Sequence, residues 1–214
     1  MQFLSQHSSD VAPLLLGAVL HGPNGSGRIV EVEAYGGAED AASHTFRGIT
    51  PRTEPMFGSA GTLYVYLSYG IHHCANVVTG PPGDGQAVLI RAVEPLEITP
   101  AMRAARPKAR RDVDLTNGPG KLCAALGINL EHDRANLLER SSEVRLEIGQ
   151  RISKGAISTS TRIGISKATE LPWRGRNGTV VGLHVGSASG LANLESHCRI
   201  VANMNNAKRF CCYF

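Results

Sequence analysis

The chain has 214 residues, 42% of them hydrophobic and 19% charged, with a formal charge of +4 and a pI near 8.9. That length and apolar content suit one domain with a sizeable core, and so modest a positive charge permits an anionic partner without demanding one. The five cysteines are odd in number and lack any C-x-x-C pair, which argues against a disulfide framework and for a reducing, intracellular compartment. With no basic start leading into an apolar h-region, and no apolar run of spanning length, neither secretion nor membrane insertion is expected.

In chain order, Asp10 is expected to cap a short helix with Pro13 near its first turn and an apolar stripe of Leu14, Leu15, Leu16, Val19 and Leu20. Pro23-Asn-Gly-Ser-Gly27 is dense turn chemistry feeding the segment Arg28-Ile-Val-Glu-Val-Glu-Ala-Tyr35, so a hairpin is expected from about Gly17 to Tyr35. Arg28–Tyr35 alternates with the period of a half-buried strand. Val30, Val32 and Ala34 fall on one face, Glu31, Glu33 and Tyr35 on the other. An apolar face that packs holds the opposite one rigid, so two carboxylates and a phenol are presented firmly, as acid/base chemistry needs; a solvated face of ion-paired glutamates is the plainer alternative.

Gly36 to Gly61 is loop-like, with His44, Arg47, Arg52 and Met56-Phe57 among small residues. From Gly61 to Val78 two β-rich runs join around Tyr69-Gly70, with Thr62, Tyr64 and Tyr66 on one face and Leu63, Val65 and Leu67 on the other. Tyr69 lies near the tip, where a ring has little core to join and is available to a partner. Gln86–Val93 is a third strand, and the Arg91 inside it must meet a carboxylate, a phosphate or water. Arg103, Arg106, Lys108, Arg110 and Arg111 follow, either as a solvated face or as a phosphate-contacting surface. Leu115–Leu126 is a glycine-rich turn opening a helix, with Lys121 beside amides that could receive an anion; the Walker spacing is absent. Further strands are expected at Glu143–Ile148, Thr161–Ile165 and Gly178–Val185.

His72, His73 and Cys74 are consecutive and cannot all face one ion from a strand, so no metal is expected. No G-x-S-x-G elbow supports a serine hydrolase. Glu31 and Glu33 as a glycosidase pair would be only about 6.5–7 Å apart at Cα and parallel, so one carboxylate acting as base is the more economical choice.

The segments Arg28–Tyr35, Glu39-Asp40 with His44, Thr50-Pro-Arg52, Met56-Phe57, Gly61-Thr-Leu-Tyr-Val-Tyr66, Tyr69-Gly70, Cys74-Ala-Asn76, Gly83-Asp-Gly85, Val88-Leu-Ile-Arg91 and Gly118-Pro-Gly-Lys-Leu-Cys123 resemble, in order, the mammalian-type 3-methyladenine (alkyladenine) DNA glycosylases. The resemblance runs from about Leu14 to Trp173, and residues 174–214 match the family pattern poorly. It implies an α+β fold: a single mixed domain over residues 1–214, with a curved antiparallel β-sheet, surrounding helices and a protruding β-hairpin. It also implies a monomeric enzyme without metal or cofactor, working in the cytoplasm or nucleoid if bacterial. Such an enzyme flips alkylated or deaminated purines (3-methyladenine, 7-methylguanine, hypoxanthine) out of double-stranded DNA and hydrolyses the N-glycosidic bond in base excision repair.

By the same resemblance Glu33 is the base that activates a water for attack at C1′, and Arg91 helps to hold that water. Tyr35, His44 and Tyr66 wall the flipped base, Asn76 obstructs the exocyclic amino group of guanine, and Tyr69 wedges into the minor groove. His72, Arg52 and Lys121 are further candidate DNA contacts. These roles agree with a carboxylate on a rigid strand, an aromatic face and an exposed tip tyrosine in a basic protein. Two other classes use the same residues. A non-catalytic nucleic-acid-binding protein would leave Glu33 salt-bridged to Arg91, and a nucleoside hydrolase would need no wedge.

Overall fold

The computed structural model describes residues 1–178. In chain order its elements are α1 (Ser8–Leu15), β1 (Val19–Gly22), β2 (Gly25–Tyr35), β3 (Leu63–Ser68), β4 (His72–Thr79), β5 (Gln86–Pro95), α2 (Pro100–Ala105), α3 (Pro119–Leu126), β6 (Arg145–Glu147), β7 (Ile157–Ser160) and β8 (Arg174–Asn177). All eight strands join one antiparallel sheet whose main path is β3-β4-β5-β2-β1-β6, with β8 on β2 and β7 outside β8. The α+β architecture is therefore the expected one, with few helices and a hairpin, β3-β4, at the sheet's end.

The first helix begins earlier than expected. His7 is its cap, its ring accepting from Ser9 N, while Asp10 sits in the first turn and Pro13 falls inside the helix. Val19 and Leu20 leave the helix altogether and start β1, which turns through Pro23-Asn24 so that Gly22 faces Gly25.

β2 is the hinge of the sheet. One edge pairs with β5 from Gly27 to Tyr35; the other pairs first with β1 and then, at Glu31–Glu33, with β8. Directly paired residues share a face. Ile29, Val32 and Ala34 therefore join Val88 and Ile90 of β5, Val77 and Ala75 of β4 and Leu63 and Val65 of β3 in the main core, covered by Val11 and Leu15 of α1 and Leu122 and Leu126 of α3. Each fully buried Leu or Ile there contributes about 1.5–3 kcal/mol relative to exposure, which is what anchors β2 from below. The opposite face of β2–β5 carries Glu33, Leu89, Asn76, Tyr64, Cys74 and Tyr66.

Val30 departs from the expected face. Register shifts occur between Ile29 and Glu31 and again between Glu31 and Val32, the first skipping Val30 on β2 and the second skipping Arg91 on β5. Val30 then packs with Ala92 and Val113 in a small separate cluster. The bulges leave Arg91 without an opposite residue and free to reach along the strand to both glutamates, as bulges commonly re-aim a side chain.

Two strands also differ from expectation. Residues 161–165 form no strand, and the pairing segment is instead β7, at Ile157–Ser160. Around Arg162 the groups that would build a ladder bond elsewhere: its guanidinium binds Asp40, and the Ile163 amide goes to Glu33. The strand expected at Gly178–Val185 lies, apart from Gly178, outside the described residues. The Arg-Gly-Arg-Asn of β8 has no apolar alternation to announce it.

Candidate active site

Glu33 is fully buried on the polar face of β2. Its Oε2 accepts from the Tyr35 hydroxyl at 3.0 Å and from Arg91 Nη1 at 3.2 Å, and its Oε1 accepts from Ile163 N at 2.8 Å. A carboxylate oxygen has two acceptor positions, so Oε2 is filled by protein donors while Oε1 retains one.

Glu31 has a different job. Its Oε1 accepts from Arg91 Nε at 3.0 Å and Arg174 Nε at 2.8 Å, and Arg176 Nε lies 3.3 Å from Oε2. Arg91 thus bridges the two glutamates, and Glu31 is the hub that holds three arginines of β5 and β8. The two carboxylates and three guanidiniums sum to a single positive charge. An uncompensated buried charge would cost several kcal/mol, and the surplus of arginine offsets the burial of both carboxylates. Burial alone would depress the Arg91 guanidinium, but Glu33 and then Glu31 outweigh it and raise it above its ordinary value.

Above this layer lies a cavity of about 710 Å³. Tyr35, His44, Tyr66, Asn76, Arg91, Arg52 and Tyr69 all line it, so seven of the ten residues singled out from the sequence converge on one hollow. Glu33 does not line it and sits one side-chain layer beneath, behind Tyr35, Arg91 and Ile163, which do. His72 and Lys121 lie apart. His72 packs beside the tip of the β3-β4 hairpin against Gly120, where any Cβ would come within 2.9 Å of its own Cβ, and Lys121 Nζ donates to Asn117 Oδ1 at 2.9 Å.

One wall is aromatic, with Arg47, Arg52, Arg91 and Lys167 also lining the cavity. Tyr64 and Tyr66 stack with centroids 5.6 Å apart, His44 meets Tyr66 edge-on at 4.6 Å, and Arg52 lies 5.3 Å from the Tyr66 ring centre. Enclosure by these rings and then the nearby Arg52 charge lower the His44 imidazole to about 4, so it is neutral at physiological pH. Burial, with the Glu33 charge next, raises the Tyr35 phenol well above its usual range, so it remains a proton-bearing donor to Glu33. Burial likewise raises Tyr66 and pushes the Cys74 thiol up to about 11, which makes Cys74 a wall atom and not a nucleophile at neutral pH. Asn76 donates from Nδ2 to the Tyr64 carbonyl at 3.1 Å, which fixes its amide against the floor.

At the cavity's mouth the β3-β4 hairpin turns through Tyr69-Gly70-Ile71. Tyr69 is 67% exposed and Ile71 70%, and Tyr69 holds a left-handed φ of 51°. Of the basic run, Arg103 pairs with Asp112, Arg111 with Asp114, and Arg106 donates to the Asp114 carbonyl, while Lys108 and Arg110 point outward as exposed residues.

Sequence reasoning missed Asp40, Arg162, Arg174 and Arg176 as parts of this constellation. Arg162 binds Asp40 across 122 residues and Arg174 binds Glu31 across 143, distances at which no spacing rule operates. One signal was available: Arg162 stands in the apolar setting Ile163-Gly-Ile165, and an arginine so placed needs a buried partner for the reason that Arg91 does.

The family model for methylpurine-DNA glycosylase matches residues 2–176. A protein of Burkholderia lata provisionally named a 3-methyladenine DNA glycosylase is 47% identical over 173 residues, covering 80% of this chain and 84% of the relative. Proteins of Nocardia farcinica (47% over 165 residues, 75% and 78% covered) and Myxococcus xanthus (46% over 170 residues, 78% and 81% covered) carry the same provisional name. With nearly all of the described residues inside the match, the chain belongs to the methylpurine-DNA glycosylase family and is a DNA-repair hydrolase of the N-glycosyl bond.

Proposed function

We propose that this enzyme flips an alkylated or deaminated purine from duplex DNA into the aromatic cavity and hydrolyses its N-glycosidic bond with a water activated by Glu33. The observation that carries the proposal is the unfilled acceptor position on Glu33 Oε1, held beneath a cavity walled by Tyr35, His44 and Tyr66. A purine alkylated at N3 or N7 is cationic and already a good leaving group. The site then needs a positioned water and negative charge near the developing oxocarbenium ion, and Glu33 supplies both.

Arg91 holds the Glu33 carboxylate in place, while its place on the cavity floor allows it to orient the water. Electron-rich rings of Tyr35 and Tyr66, with neutral His44, favour an electron-poor or cationic base between them. Asn76, fixed on the floor, is placed to obstruct an exocyclic amino group of an undamaged guanine. Tyr69 fills the space that the flipped nucleotide leaves, and its exposed neighbour Ile71 widens the wedge. The partner is duplex DNA, and one copy of the chain supplies every residue named.

The test is a single-turnover reaction on duplexes bearing one 3-methyladenine or one hypoxanthine, read as abasic-site formation. Excision of the damaged base is the expected result; binding without excision would favour a second reading. The Glu33–Arg91 ion pair is also what a non-catalytic DNA-binding member would need for stability alone.

A further inference from the structure

Arg162 has a fully enclosed side chain and is absent from the cavity lining, yet it lies over Tyr35 and directly precedes Ile163, two of the three groups that bond Glu33. Its Nη2 donates to Asp40 Oδ1 at 2.9 Å and to the Ala168 carbonyl at 3.2 Å, and its Nη1 donates to Asp40 Oδ2 and, at 2.9 Å, to the Ala34 carbonyl. The guanidinium also lies 4.8 Å from the centre of the Tyr35 ring and 5.3 Å from that of Trp173. Asp40 in turn accepts from the amides of Gly36 and Ala42. Burial would raise its carboxyl, but the Arg162 hydrogen bonds outweigh this and lower it, so the pair stays ionised.

The next residue, Ile163, gives its amide to Glu33 Oε1, the atom with the open acceptor position. One guanidinium therefore joins the end of β2, the loop that carries His44, and the 161–168 segment whose amide aims the carboxylate. Buried ion pairs contribute little net stability and are often replaceable by apolar groups, so four bonds from Nη1 and Nη2 to three separate segments, with Nε left unpartnered, are better explained by geometry than by folding energy.

We propose that Arg162, locked by Asp40, is a positioning residue for the excision step: it holds the Ile163 amide and the Tyr35 hydroxyl on the Glu33 carboxylate. The inference rests on Glu33 as the base. The Arg162 side chain is sealed from solvent and lies off the cavity wall. Lysine at this position keeps the charge but has no planar fork to serve Asp40, Ala34 and Ala168 together.

The test uses the full chain with Arg162→Lys and Asp40→Asn, each alone and combined with Glu33→Gln. Thermal unfolding, lesion-duplex Kd and the single-turnover excision constant at saturating enzyme are measured on 3-methyladenine DNA. In the otherwise unaltered enzyme both variants are expected to unfold cooperatively and bind within about threefold of it, but to excise on the order of 10²-fold more slowly, the cost of a misplacement near 1 Å. In the Glu33→Gln background Arg162→Lys should cost nothing further, because Arg162 acts through that carboxylate; a general loss of fold would cost the same in both. Normal excision by Arg162→Lys, an equal loss in the Glu33→Gln background, or failure of both single variants to fold would each overturn the inference. Normal excision by Glu33→Gln alone would instead remove the assignment of the base, a result independent of Arg162.

Discussion

Replacing Glu33 by Gln exchanges one carboxylate oxygen for an NH2 group and removes one charge, and the surroundings dictate how the amide settles. Its carbonyl oxygen is needed where Tyr35 and Arg91 both donate, so the NH2 group turns to the position of Oε1 and faces the Ile163 amide, donor against donor. One unsatisfied buried pair of this kind costs about 1–3 kcal/mol of stability, well inside a typical reserve of about 5–15 kcal/mol, so the variant remains folded. Arg91 keeps Glu31 and is not stranded. The open acceptor position, however, is gone, and a water there meets only donors.

Loss of a general base lowers the rate by ~10²–10⁴-fold, equivalent to about 2.7–5.5 kcal/mol in the barrier, far more than the unfolded fraction could explain. The assay is single-turnover release of hypoxanthine or 3-methyladenine from a duplex with enzyme in excess, alongside a binding isotherm and a melting curve. A folded, DNA-binding Glu33→Gln enzyme that excises within a few-fold of the unaltered protein would refute the reasoning from Oε1. Glu31→Gln is the informative comparison, though not a silent one. It removes the charge that holds Arg91, Arg174 and Arg176, so it should lower the melting temperature more than Glu33→Gln while costing less excision per folded molecule.

Tyr69→Ala should weaken capture of a lesion in duplex DNA by roughly 1–3 kcal/mol and affect an unpaired lesion less, since only the duplex leaves a gap to fill; equal losses on both substrates, in parallel binding titrations, would remove the wedge role. Lys108→Ala with Arg110→Ala should flatten the dependence of log Kd on log salt, whereas Arg103→Ala, already paired to Asp112, should alter it less; an unchanged slope for the double variant would return the run to a solvated face. His44, lowered to about 4 in the folded state against an ordinary value near 6.5, takes up its proton more readily when the chain unfolds. Its contribution to stability is therefore complete above about pH 6.5 and is lost as pH falls toward 4, so urea unfolding should show a fall over that window that His44→Gln diminishes. An identical pH profile for the variant would mean that the imidazole is not enclosed as described.

Much of the site was legible in the residues themselves because it is built on local alternation. The period of two in Arg28–Tyr35 put Glu31, Glu33 and Tyr35 on one face, and the same period in Leu63–Leu67 separated Tyr64 and Tyr66 from Leu63 and Val65, as the structure has them. Turn chemistry at Pro23-Asn24 and Tyr69-Gly70 located both hairpins. Where alternation failed, so did the expectation. The paired irregularities at Val30 and Arg91 follow from fitting a twisted strand between β5 on one side and two successive partners on the other, a demand that no octapeptide states. The strand at Arg174–Asn177 has no apolar face because it is held by the carboxylate of Glu31, and residues 161–165 abandon the ladder for Asp40 and Glu33. Except at Val30, which residues share a face was thus determined by the sequence, since side-chain direction is a property of the local backbone. Which charges neutralise one another was decided only by the tertiary structure, because a buried carboxylate takes whatever guanidinium the fold delivers, from any distance along the chain.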